Sequence, residues 1–172
     1  MGSACMDRDI LQDNKITHIL TVSDEFPPAH PKHFDYMVVH ISDEPRSNLI
    51  QVFHETTRFI EEGRKNGNVF IHCAAGISRS PTVTLAYLLL SKLANSPEEA
   101  IELIKKSRYF VSPNSGFWKQ IQIFYNAGFD DTHQLVANHL KSILPKPKIT
   151  YHGKNYPEIV EVKEEEEDDD SE

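Results

Sequence analysis

The chain has 172 residues, of which 39% are hydrophobic and 26% are charged, a composition typical of a soluble globular protein with one sizeable core. No apolar run approaches the roughly 20 residues that a membrane-spanning helix needs, and two cysteines exclude a disulfide framework. The net charge of −8 arises from residues 161–172, with nine acids and one lysine, while the remaining 17 basic and 17 acidic residues balance. A neutral folded part argues against a nucleic-acid surface.

Three segments rich in β-branched and aromatic residues predict strands at 16–22, 36–41 and 68–72. Each is nearly continuously apolar, which is typical of parallel strands that are covered on both faces. Between the second and the third, apolar residues recur at three- and four-residue steps and predict an amphipathic helix over 47–65. This alternation predicts a three-layer α/β domain, with a mostly parallel central sheet flanked by helices.

Helices are also predicted over 82–93, after Ser80-Pro81, and from Pro97 to about Lys106, with Ser96 as the cap. A last core helix is predicted over 117–126, whose aromatic residues are expected in the core rather than at a substrate: Phe117, Trp118 and Phe124.

The composition changes after this last core helix. We therefore predict a domain over 1–130, followed by a C-terminal region over 131–172. That region is expected to hold a helix within 131–144, a linker from Pro145 onward and a disordered acidic tail.

The segment 69–80 carries the chemistry. Five residues separate Cys73 from Arg79, and the loop between them joins a buried strand to the start of a helix. Small residues at a helix N-terminus direct backbone N–H groups into one concavity, which binds a phosphate dianion. Arg79 can close the concavity with two parallel hydrogen bonds, and the positive field favours the nucleophilic thiolate form of Cys73. The predicted phosphate-binding residues are Ala74, Ala75, Gly76, Ile77, Ser78 and Arg79. The alternative is a buried cysteine that only packs at a strand end.

The run from His72 to Ser80, His-Cys-Ala-Ala-Gly-Ile-Ser-Arg-Ser, resembles the signature of protein tyrosine phosphatases. It is most similar to the small, atypical dual-specificity branch, and the resemblance extends over about residues 2–129. The resemblance implies a phosphocysteine intermediate on Cys73, with no metal and no organic cofactor. Domains of this family begin with an edge strand before a Gly-Ser turn. Because Gly2-Ser3 occupy that place here, we expect the first edge strand to be missing.

Expulsion of a tyrosine or serine oxygen requires a proton donor near the phosphate. Asp43 is the predicted general acid, because it follows the second strand and lies 30 residues before Cys73. It is followed five residues later by Asn48-Leu49, which is similar to the acid loop of the family. Glu44 and Asp24 are the alternatives.

Three more residues are predicted to support the site. Ser80 is expected to donate a hydrogen bond to the Cys73 sulfur, or else to cap the following helix. His72 is expected to orient the loop, or else to be an ordinary buried histidine. Asn114 resembles the residue of the family that braces the phosphate loop, or else starts a helix.

The loop contains no lysine at the positions where lipid-directed relatives carry it, which favours phosphoproteins over phosphoinositides as substrates. The resemblance implies hydrolysis of phosphotyrosine and of phosphoserine or phosphothreonine. The alternative functions are a non-catalytic phosphoresidue-binding module of the same fold and a phosphatase acting on RNA 5′ ends or sugars. The absence of basic clusters argues against RNA. We expect a reduced cytoplasmic or nuclear protein without membrane attachment.

Overall fold

The computed structural model describes residues 7–156. The strands form one sheet in the order β3-β1-β2-β4, with bounds β1 Ile16–Val22, β2 Asp35–Val39, β3 Asn68–His72 and β4 Ile149–His152. Strand β1 pairs in parallel with β2 and β3, whereas β4 runs antiparallel to β2. The predicted mostly parallel α/β sheet is confirmed.

Among the described residues, six α-helices surround the sheet: α1 Arg8–Asp13, α2 Phe53–Arg64, α3 Arg79–Leu90, α4 Pro97–Ser107, α5 Ser115–Asn126 and α6 Gln134–Leu140. The main core joins residues of α2, α3 and α5 to one face of the sheet, and Phe117 and Phe124 are buried in it. A smaller apolar cluster that includes Leu11 of α1 covers the other face. None of the helices within residues 7–156 has the length and apolar character needed to cross a bilayer.

The helix predicted over 47–65 begins later than expected. A 3-10 turn at Ile50–Val52 precedes α2, and the backbone N–H groups of Leu49 and Ile50 both donate to Oε1 of buried Gln120, at 2.9 Å. These donors are therefore satisfied by a distant side chain on α5 rather than by helical carbonyls. These two hydrogen bonds lie on the segment that follows Asp43.

The linker predicted from Pro145 onward is wrong for Ile149–His152, which form strand β4. Ile149 and Thr150 are buried, and Val136 of α6 lies in the main core, so the described part of 131–156 packs on the same body. A four-residue strand carries little periodic signal, and its pairing with an edge more than 100 residues away determines its structure.

Strand β3 lies at an edge of the sheet, since within residues 7–156 it pairs with β1 alone. Its residues from Val69 to His72 are partly exposed, unlike the fully buried β2. In the described part of the chain, the strand that carries the candidate nucleophile at its end therefore has one neighbour. The predicted acidic tail and Cys5 lie outside the described residues.

Stability is expected to fall in mild acid. Burial lowers the pKa of His18, His72, His139 and His152 below the ordinary value of 6.5. The unfolded chain therefore binds more protons than the folded one as the pH drops below about 6.5. We expect the free energy of unfolding to decrease between about pH 7.5 and pH 5.5, above the range in which carboxylates titrate. Urea denaturation at fixed ionic strength measures this, and an unchanged midpoint across the window would contradict it.

Candidate active site

Cys73 follows β3 directly, and α3 begins six residues later at Arg79. The cysteine is buried, and its Sγ lies 3.2 Å from Ser80 Oγ. Ser80 is the second residue of α3, and the cap position is held by Ser78, so the helix-capping alternative for Ser80 is wrong. The thiol is thus placed at the positive end of a 12-residue helix, where the dipole favours negative charge.

On the outer side of the loop, a carbonyl group is fixed by a hydrogen bond from another segment. The Ile77 carbonyl accepts from the Ser112 backbone N–H at 2.8 Å, and Gly76 adopts a φ of 67°, which favours glycine. In a planar trans peptide the C=O and the following N–H point in opposite directions. A carbonyl held on the outside therefore turns the next amide towards the inside of the loop, as a phosphate-binding concavity requires.

Arg79 is held on one side of its guanidinium. Nη1 donates to Ser23 Oγ and to the Ile41 carbonyl, both at 3.1 Å, and Nη2 donates to Glu25 Oε1 at 3.0 Å. The Arg79 side chain is 7% exposed and that of Glu25 is 54% exposed. Within residues 7–156, the buried Nε of Arg79 has no hydrogen-bond partner. The edge formed by Nε–H and the adjacent Nη2–H is therefore the one suited to an oxyanion.

Asp43 is tied to the same loop. Its Oδ1 accepts hydrogen bonds from Ser78 Oγ and from Asn114 Nδ2, each at 2.8 Å. The Asn114 backbone N–H donates in turn to Ser78 Oγ at 3.0 Å, while its side-chain oxygen caps α5. Both donors contact the same carboxylate oxygen, so Oδ2 of this exposed residue is the atom suited to carry a transferable proton.

The loop that carries Asp43 is packed directly on the start of α5. A Cβ atom at Gly116 would lie 1.8 Å from the carbonyl oxygen of Pro45, so glycine allows the two backbones to approach. Gln120 adds a hydrogen bond from its Nε2 to the Ser47 carbonyl at 2.8 Å. Helix α5 therefore positions the acid through Asn114, Gly116 and Gln120, which lie more than 70 residues beyond it in the chain.

His72 is half-buried at the end of β3, directly before Cys73. Its Nε2 lies 2.8 Å from Thr21 Oγ1, and its ring stacks on Phe70 and meets Phe26 edge-on. Burial lowers the pKa of His72, while a hydrogen bond with the Cys73 backbone acts in the opposite direction. A neutral imidazole held in this way links the end of β3 to β1.

The contacts of Asp43 differ from those of the two alternative acids. Asp24 Oδ1 lies 3.3 Å from His40 Nδ1, and Glu44 is exposed on the surface of the acid loop. Ser23 and Glu25 follow strand β1, and they were not predicted as part of the site. Their position after β1, at the carboxyl edge of the sheet where ligands bind in open α/β folds, is the signal that could have identified them.

Residues 7–156 contain no group of three or more His, Cys, Asp or Glu side chains placed to hold a metal ion. Asp43 contacts the loop through Ser78, and Glu25 contacts the guanidinium of Arg79. A thiol, a loop of backbone amides and a nearby carboxyl group are the set of groups that nucleophilic displacement at a phosphate would use.

The comparisons with known proteins identify a family of phosphatases. A profile described as "Dual specificity phosphatase, catalytic domain" matches residues 2–127. MAP kinase phosphatase with leucine-rich repeats protein 1 of Dictyostelium discoideum is 42% identical over 119 residues, which are 69% of this chain and 14% of the relative. Dual specificity protein phosphatase 1 of Arabidopsis thaliana is 40% identical over 121 residues, which are 70% of this chain and 61% of the relative. The chain therefore spans less than two thirds of the length of these curated relatives.

Solved structures show the same fold. The crystal structure of the human tyrosine phosphatase-like serine/threonine/tyrosine-interacting protein aligns with a TM-score of 0.70 and 29% identity, over 74% of this chain and 89% of that one. The crystal structure of DUSP15 aligns with a TM-score of 0.65 and 30% identity, over 80% of this chain and 86% of that one.

Proposed function

Because the chain belongs to the dual specificity phosphatase family, we propose that it hydrolyses phosphotyrosine and phosphoserine or phosphothreonine in proteins through a phosphocysteine intermediate on Cys73. The observation that carries the proposal is the guanidinium of Arg79, which is fixed on one side and has a buried Nε without a partner beside the loop that starts at Cys73. A buried donor without a partner is unfavourable unless a ligand satisfies it.

In the first step, the loop amides and Arg79 hold the phosphate, and the Cys73 thiolate attacks the phosphorus atom. The bond from phosphorus to the substrate oxygen breaks, and the departing oxygen takes a proton from Asp43. In the second step, water gives a proton to the Asp43 carboxylate and attacks phosphorus, and the phosphorus–sulfur bond breaks. Ser80 Oγ, at 3.2 Å from Sγ, is placed to donate a hydrogen bond to the departing thiolate.

The loop itself favours phosphoproteins as substrates. Its side chains between Cys73 and Arg79 carry no charge, so they offer nothing to the additional phosphates of a phosphoinositide. Ile77, which is 39% exposed, gives the loop an apolar surface that suits the side chain or backbone of a phosphopeptide.

The test of this function is phosphate release by the purified chain from matched phosphotyrosine and phosphothreonine peptides. We expect release from both. Release from neither, together with measurable peptide binding, would favour the second candidate, a non-catalytic phosphoresidue-binding module. That candidate is suggested by the likeness to a human protein whose name describes it as phosphatase-like and interacting. The presence of Cys73, Arg79 and Asp43 together argues for the enzyme.

The general acid is tested by Asp43→Asn, which keeps an oxygen acceptor for Ser78 and Asn114 but has no transferable acid proton. We expect kcat on phenyl phosphate, whose leaving group is poor, to fall by about 10²- to 10⁴-fold. A smaller loss is expected on aryl phosphates with strongly acidic leaving groups, which need no protonation. The measurement is kcat across a leaving-group series.

Glu44→Gln is the matched control, because Glu44 is the adjacent exposed carboxylate of the same loop. It is expected to keep the wild-type dependence on leaving group. An equal loss on every substrate in Asp43→Asn, or a leaving-group effect in Glu44→Gln, would place the acid elsewhere.

A further inference from the structure

We propose that Arg108 is a positioning residue of the phosphate loop, which fixes the amides of Gly76 and Ile77 in their phosphate-binding orientation. The inference rests on the proposed function of the loop. Arg108 follows the end of α4, outside the segment 69–80.

Arg108 contacts the loop from its outer side through two nitrogens. Nε donates to the Gly76 carbonyl at 3.0 Å, and Nη2 donates to the Ala75 carbonyl at 3.2 Å. Because C=O and N–H lie on opposite edges of a trans peptide, these two bonds direct the N–H groups of Gly76 and Ile77 away from Arg108 and into the concavity. One guanidinium therefore orients two successive peptide units.

The guanidinium has a fixed position. Its Cζ lies 4.4 Å from the centroid of the Phe110 ring, in cation–π contact. A Cβ atom at Gly76 would lie 2.6 Å from Nη2 of Arg108, so the close approach depends on glycine at this position. The positive φ at position 76 and the contact with Arg108 thus both favour glycine there.

The charge of Arg108, like its hydrogen bonds to the loop, favours the binding of phosphate. Arginine stays protonated in proteins, so a permanent positive charge lies behind the loop without occupying the phosphate position. A positive charge at this place favours negative charge in the concavity, both on the bound dianion and on the sulfur that attacks it. Lysine would preserve the charge, but a single ammonium does not reproduce the planar fork that reaches two carbonyl groups.

The experiment has two measurements on the full chain. Calorimetry gives the Kd of tungstate, an inert phosphate analogue, and alkylation by iodoacetamide gives the pH dependence of the reactivity of Cys73. Arg108→Ala is expected to raise the tungstate Kd by about 10- to 100-fold and to move the alkylation profile to higher pH. Arg108→Lys is expected to recover part of the alkylation profile and little of the affinity. Lys106→Ala, which removes an exposed charge from the same helix, is the matched control and is expected to change neither.

A tungstate Kd and an alkylation profile within twofold of the wild type in a folded Arg108→Ala protein would overturn the inference. If that variant does not fold, Arg108→Lys decides: wild-type tungstate affinity in it refutes the positioning role. Failure of the proposed function has a different result. The wild-type chain would then release no phosphate in a Cys73-dependent way, but the difference in tungstate Kd between the wild type and Arg108→Ala would still test the role of Arg108.

Discussion

Replacement of Cys73 by serine is expected to reduce turnover of an aryl phosphate by at least about 10³-fold, or about 4 kcal/mol in activation free energy. A serine hydroxyl remains protonated near neutral pH, and the two hydrogen bonds that Asp43 accepts come from Ser78 and Asn114 rather than from residue 73. The loop amides and Arg79 are unchanged, so the variant is expected to keep its affinity for tungstate and for phosphopeptides.

The measurement is initial velocity together with tungstate affinity for the same preparation. Cys5→Ser is the matched control, because Cys5 is the other cysteine of the sequence, and it should keep full turnover. Turnover in Cys73→Ser comparable to that of the wild type would refute the phosphocysteine mechanism. Loss of both turnover and tungstate binding would point instead to collapse of the loop.

Replacement of Arg79 by lysine is expected to lower kcat/KM by about 10²- to 10³-fold, or about 3 to 4 kcal/mol. Lysine keeps the charge but has no pair of parallel donors for the phosphate, and its ammonium does not span Ser23 Oγ, the Ile41 carbonyl and Glu25 at once. Because the donors act on the charge that develops in the transition state, we expect kcat to fall as well as KM to rise.

Kinetics on aryl phosphates and a thermal melt of the same samples measure the effect. Arg58→Lys, at an exposed position on α2, is the matched control and should change neither quantity. A loss smaller than tenfold in Arg79→Lys would show that charge alone is sufficient. A melting temperature far below that of the wild type would show that the buried contacts of Arg79 stabilise the fold more than they serve the reaction.

Strands β1 and β3 begin and end where the sequence predicts them, and β2 differs by one residue at its start and two at its end. Continuous apolar runs specify strands such as β1 and β2, whose residues are mostly buried, whereas β3 is specified by its β-branched and aromatic residues although it is partly exposed. Helices α4 and α5 were also predicted closely, since the side-chain caps at Ser96 and Asn114 are local interactions. Helix α1 was not predicted, because six residues capped by Asp7 carry little periodicity.

Strand β4 and the late start of α2 were predicted incorrectly for a shared physical reason. In both cases a distant part of the chain satisfies the backbone hydrogen bonds: β2 pairs with Ile149–His152, and Gln120 accepts from Leu49 and Ile50. Local propensity gives no information on such partners.

The sequence by itself determined the candidate nucleophile and the phosphate loop, because Cys73 and Arg79 are separated by five residues and the strand-to-helix turn between them is local. The candidate acid Asp43 could be predicted as well, since it follows β2, which is parallel to β1 as β3 is, so Asp43 and Cys73 both lie beyond the carboxyl ends of parallel strands. Only the tertiary structure showed that Glu25, 54 residues before Arg79, holds its guanidinium, and that Arg108, 32 residues after Gly76, holds the outer carbonyls. These contacts join segments that are distant along the chain, and packing on the sheet decides which side chains come within hydrogen-bond distance.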